Sequence, residues 1–74
     1  MKKMIYVSLL NEGTQVYRPV PAYEIGNDIY KIDGFEMYKP EVETWEFLPG
    51  TYVLVQQKVL QGESVLVAIK EVKT

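Results

Sequence analysis

Ile5, Val7 and Leu9 alternate along the chain with Met4, Tyr6 and Ser8. A period of two puts each set on its own face of an extended strand. The pattern predicts a first strand over residues 3–10, and similar runs predict strands over 15–24, 29–32, 51–59 and 64–72. In the fourth run Val53, Val55 and Val59 share a face. In the fifth, Val65, Val67 and Ile69 share one face, and Leu66 and Ala68 the other. Apolar residues on both faces mark a central or well-covered strand. The expected core is therefore Ile5, Val7, Val53, Val55, Val65, Val67 and Ile69.

The turns between these runs have their own chemistry. The five glycines punctuate the sequence, at Asn11-Glu12-Gly13, Gly26-Asn27-Asp28, Asp33-Gly34, Pro49-Gly50 and Gln61-Gly62-Glu63. Leu48-Pro49-Gly50-Thr51 suits a type II turn, with proline presetting φ at the second position and glycine supplying positive φ at the third. Gln61-Gly62-Glu63 between two valine-rich runs reads as a hairpin loop. Arg18-Pro19-Val20-Pro21 carries two prolines on one side of its strand. That side lacks N–H donors, which predicts a sheet edge or a bend there.

Residues 33–47 are irregular, acidic and aromatic. Pro40-Glu41-Val42-Glu43-Thr44-Trp45 has the proline and acids of a helix start. Pro49-Gly50 cuts the segment short, so it is expected to be a loop with an extended end at residues 45–47. Five short strands in one small domain, residues 1–74, predict an all-β fold: a five-stranded antiparallel barrel, because closure removes exposed edges. An SH3-like barrel fits best. An OB-fold is the alternative, since its helix between the third and fourth strands would fall at the Pro40 segment.

Two runs carry a resemblance. Leu9-Leu10-Asn11-Glu12-Gly13-Thr14-Gln15-Val16-Tyr17-Arg18-Pro19-Val20 and Trp45-Glu46-Phe47-Leu48-Pro49-Gly50-Thr51-Tyr52-Val53 together resemble a group of small bacterial proteins with a Glu-Gly, Arg-Pro-Val, Trp-Glu-Phe, Pro-Gly order. The shared motifs are turn and packing signals. The resemblance implies a β-barrel and no particular activity.

Composition narrows the chemistry. There is no cysteine and no histidine. A disulfide, a Cys/His zinc site, a thiolate nucleophile and an imidazole acid–base catalyst are all excluded. Ser8 and Ser64 lie in or beside apolar runs and read as strand residues. Glu41, Glu43 and Glu46 lack the spacing of a calcium loop. No cofactor is expected, and the protein is not expected to be an enzyme.

The net charge is −2, with a single arginine and scattered lysines. No basic stripe follows a phosphate backbone, so neither nucleic acid nor an anionic membrane is an expected partner. Met1-Lys2-Lys3 and the apolar run after it imitate a signal peptide. The run stops at Asn11-Glu12-Gly13 without a small-residue cleavage site, and a cytoplasmic protein is expected.

The candidate partner-binding residues are Tyr17, Arg18, Tyr38, Trp45 and Glu46. Tyr, Trp and Arg concentrate interface energy, and loops on a rigid barrel commonly carry binding. Each has a packing alternative. Arg18 either grips a carboxylate of a ligand or pairs with one of the protein's own acids, Glu12 or a residue of the acidic loop, and the internal pair is favoured. Tyr6, Tyr17, Tyr23 and Tyr52 either form an aromatic surface or cap the barrel ends. Trp45 and Phe47 either stand in a binding loop or plug the barrel, and the plug is favoured for both. The function expected is a non-enzymatic protein-interaction module. The alternative is an acidic inhibitor or immunity-type protein that masks a basic partner surface. A homo-oligomer is compatible with the chain.

Overall fold

The computed structural model describes residues 2–73. They form six strands: β1 (Lys2–Leu10), β2 (Val16–Gly26), β3 (Ile29–Ile32), β4 (Thr44–Trp45), β5 (Tyr52–Leu60) and β6 (Glu63–Glu71). No helix is present among the described residues. β1, β2, β3, β5 and β6 pair in that order, and β6 returns to β1, closing a small all-β barrel. Each of these strands lies beside its predecessor. That up-and-down order differs from the Greek key of an OB-fold. A five-stranded run of this kind reverses direction four times, so its first and last strands point the same way. Closure therefore requires one parallel pair, and it is made by Tyr6 of β1 and Val67 of β6. The other barrel pairs are antiparallel.

The core is built from the predicted alternation. Ile5, Val7, Val20, Ala22, Ile32 and Val53 are fully buried, and Leu9, Tyr30, Val55 and Ala68 nearly so. Trp45 completes this cluster, with Tyr38, Phe47 and Leu66 packed against it. Both large aromatics of the 45–47 segment fold inward, so the plug is the arrangement adopted. β4, a two-residue strand, pairs Trp45 with Leu9 and Thr44 with Leu10.

The prolines behave as expected. Pro19 and Pro21 lie opposite Tyr6 and Met4 of β1, and β3 begins its pairing with β2 only at Ala22. At Pro19 the side of β2 away from β1 has no neighbouring strand, so a missing donor costs little there. The predicted turns also form. Thr51 N–H donates to the Leu48 carbonyl at 3.1 Å, and Gly50 has φ +91°. Gln61 and Gly62 both have positive φ, which is the type I′ geometry that suits a twisted two-residue hairpin.

Two expected core positions, Val65 and Ile69, differ. Between Leu54 and Val55 of β5 the partner on β6 jumps from Lys70 to Ala68. Ile69 is the extra residue of a bulge, and the inward parity passes to Leu66 and Ala68. Ile69 is consequently 37% exposed, and Val65 only half-buried. Val67 stays buried at 2% for a different reason. It bridges Tyr6 and Gln56 on its two neighbours and lies outside the main core cluster. Val59 has the predicted parity yet is 71% exposed, because β3 pairs with β5 only over residues 52–54 and nothing covers the rest.

Candidate functional site

The acidic loop between β3 and β4 is shaped by two tight turns. The amides of Met37 and Tyr38 both donate to the Gly34 carbonyl at 2.9 Å, and those of Val42 and Glu43 to the Lys39 carbonyl at 2.9 and 3.1 Å. The loop is tied to β2 by the Asp33 N–H, which donates to the Pro21 carbonyl at 2.9 Å. These turns bring Glu43 against Arg18 of β2. Arg18 Nε–H donates to Glu43 Oε1 at 2.9 Å and Nη2–H to Oε2 at 2.8 Å. The Trp45 indole N–H donates to the same Oε1 at 2.9 Å. Tyr38 packs on Trp45, with ring centroids 5.0 Å apart and planes tilted by 59°.

The electrostatics follow from this geometry. Hydrogen bonds from Arg18 and then from Trp45 hold the Glu43 carboxyl below its ordinary range, against a smaller opposing effect of burial. Arg18 thus meets an internal acid, as its packing alternative required. A bidentate pair with both partners engaged fixes geometry and has no free acid or base to offer a substrate.

The four outer tyrosines separate into two places. Lys2, Tyr23, Lys31 and Tyr52 lie in register across β1, β2, β3 and β5. Lys2 Nζ stands 5.3 Å from the Tyr23 ring centre and Lys31 Nζ 5.5 Å from that of Tyr52, so cations cover these rings. Tyr6 and Tyr17 instead face a cleft of about 700 Å³. Its barrel wall is Tyr6, Gln15, Val16 and Tyr17; its other wall is Val59, Leu60, Gln61, Glu63 and Val65 at the end of the β5–β6 hairpin. That volume falls within the usual range for ligand clefts.

The predicted site residues are therefore dispersed. Tyr17 is half-buried and lines the cleft. Arg18 is partly exposed but committed to Glu43. Tyr38 is half-buried against Trp45, and Trp45 at 1% exposure is a core residue rather than a surface contact. Glu46 is exposed, and its N–H donates to the Ser8 carbonyl at 2.9 Å. The hairpin wall of the cleft was not among the predicted residues. The sequence did carry a signal for it: a third strand of four residues cannot pair along a fourth strand of nine, so the excess must project.

Neither serine is placed as a nucleophile. Gln15 Nε2–H donates to Ser8 Oγ at 2.7 Å, and Gln57 Nε2–H donates to Ser64 Oγ. The first joins β1 to the residue just before β2 and the second crosses the β5–β6 hairpin, and each is an amide–hydroxyl contact with no base. Among the described residues no group of three or more carboxylates is placed to hold a metal ion. No family model, curated protein or solved structure matches the chain.

Proposed function

We propose that the protein is a non-enzymatic interaction module that receives a protein partner in the cleft between the β5–β6 hairpin and the β1–β2 corner. The observation that supports this most is Val59, 71% exposed at the rim of a cleft that also holds Tyr6, Tyr17, Leu60 and Val65. Contiguous exposed apolar surface is costly to leave in water and commonly marks a contact surface. Tyrosines add rigid area with a polar tip. With a net charge of −2, the reading has no place for DNA, RNA or an anionic membrane. Affinity capture from the native cell tests it. Wild type should retain a partner that Val59→Asp and Tyr17→Ala both lose while remaining folded. Equal capture by all three proteins would remove the cleft from the interface.

A second reading, the acidic inhibitor, draws on Glu36, Glu41 and Glu46. All three are exposed and none has a cation within 4.0 Å among the described residues. Their joint replacement by Gln should abolish capture under this reading and spare it under the first.

A further inference from the structure

β5 and β6 stay paired to each other out to Leu60 and Glu63, past the point where either has another neighbour. On its other side β5 pairs with β3 only through Leu54. Its next amide, that of Val55, donates to the Asp28 carbonyl at 2.8 Å. β6 meets β1 at the single Tyr6–Val67 pair. Residues 56–60 and 63–66 thus form a two-stranded arm whose outer edges have no strand partner among the described residues.

The two edges differ in chemistry. The β5 edge reads Gln56-Gln57-Lys58-Val59-Leu60, with a lysine at its middle. A lysine there is a common guard against strand addition. The β6 edge reads Glu63-Ser64-Val65-Leu66. It has no such guard, and Glu63 and Val65 line the cleft.

We infer that the β6 edge, residues 63–66, takes up an extended cationic segment of another protein as an added strand. This rests on the cleft reading and adds the mode of binding and the charge of the partner. Main-chain groups of β6 supply the hydrogen bonds, and alternate side chains of the incoming strand point at the cleft walls. The charge follows from Glu63. Among the described residues it is the only charged side chain lining the cleft, and it belongs to none of the ion pairs formed there. A lysine or arginine on the incoming strand meets this carboxylate. A second copy of the chain offers the same edge and carries a net charge of −2, the wrong sign for the site.

A random peptide library displayed against the full chain tests this, with the selected peptides synthesised and mapped by amide chemical shifts. The expected peptides alternate β-branched and basic residues. They shift the amides of residues 63–66 and protect them from hydrogen exchange. Glu63→Lys weakens them about tenfold with the fold unchanged, and a proline at the centre of the peptide abolishes binding. The inference is overturned by acidic or helical winners, by an empty selection, or by self-association that excludes peptide. Peptides that shift Tyr17 and Val59 but leave amides 63–66 unchanged sink strand addition and leave the cleft reading standing. Peptides that map elsewhere sink both.

Discussion

Trp45 and Arg18 share one carboxylate oxygen of Glu43: the indole N–H and the guanidinium Nε–H both donate to Oε1 at 2.9 Å. The Glu43 side chain is only 11% exposed. This contact links β2, the acidic loop and the barrel plug. Removing Glu43 leaves an inward N–H and a guanidinium without their acceptor. Glu43→Ala should cost about 2–3 kcal/mol, the scale of hydrogen bonds to a charged group. A double-mutant cycle with Arg18→Ala should return a coupling of about 1 kcal/mol or more, since Arg18 is 44% exposed and partly screened by water. A coupling near zero in urea denaturation would show that the pair contributes geometry alone.

The same carboxylate sets a pH dependence. Glu43 titrates lower in the folded protein than in the unfolded chain. Its contribution is fully present above the unfolded value of about 4.3 and is lost as pH falls through the lower folded value. Wild type and Glu43→Gln should therefore differ in urea midpoint at neutral pH and converge in acid. The difference between the two proteins is the useful quantity, because other carboxylates titrate in both. A gap that is constant down to the acid transition would contradict the assignment.

These features differ in how far the chain announces them. Arg18 was readable as an internal partner because it shares the parity of the apolar Val16, Val20 and Ala22, where a charge calls for an acid of the protein's own. The Leu48–Thr51 turn was readable because Pro-Gly specifies its dihedrals locally. The identity of Glu43 among several loop acids was not, since Arg18, which selects it, lies 25 residues away along the chain. The bulge at Ile69 was also hidden. An alternating Val65, Val67, Ile69 run looks unbroken from inside one strand, and the extra residue shows only against β5. The cleft was half legible: Tyr17 belongs to it, whereas the arm requires strand lengths to be compared across the sheet.

The bulge makes a prediction about two neighbouring side chains. Val67 is 2% exposed and Ile69 37%. Val67→Ala should cost about 1–3 kcal/mol through lost burial and a small cavity. Ile69→Ala should cost less than about 1 kcal/mol, although it removes more atoms. Chemical denaturation of the two variants decides. A larger loss at Ile69 would restore simple alternation and remove the bulge.

Gly34 tests the seat of the plug. A Cβ at this position would stand 2.8 Å from Trp45 Cη2 and 3.0 Å from Cζ3. The backbone there is not left-handed, so the whole penalty is steric. The indole is held by Glu43 and by core neighbours and cannot retreat freely. Gly34→Ala should destabilise by about 1–3 kcal/mol, as overpacking of a filled core does. Trp45 emission should move to the red as the ring is displaced. Unchanged emission and stability would mean that the ring has room to slide.

The arm predicts where the molecule opens most readily. An isolated two-stranded hairpin is marginal in water, and residues 56–60 and 63–66 have only each other as strand partners among the described residues. Val59 gives little anchorage, being 71% exposed. Amide hydrogen exchange should divide β5 and β6 at the barrel rim. The amides of Val53 and Val67 should exchange only by near-global unfolding. Amides of the arm that point inward across the hairpin should open at a smaller free energy, and those on its outer edges should exchange almost as fast as in an unfolded chain. Val59→Asp should leave the barrel protection intact and change global stability by no more than about 0.5 kcal/mol, as expected for a surface position. Arm amides protected to the same degree as Val53 in the free protein would mean that the arm is already covered and is not an open edge.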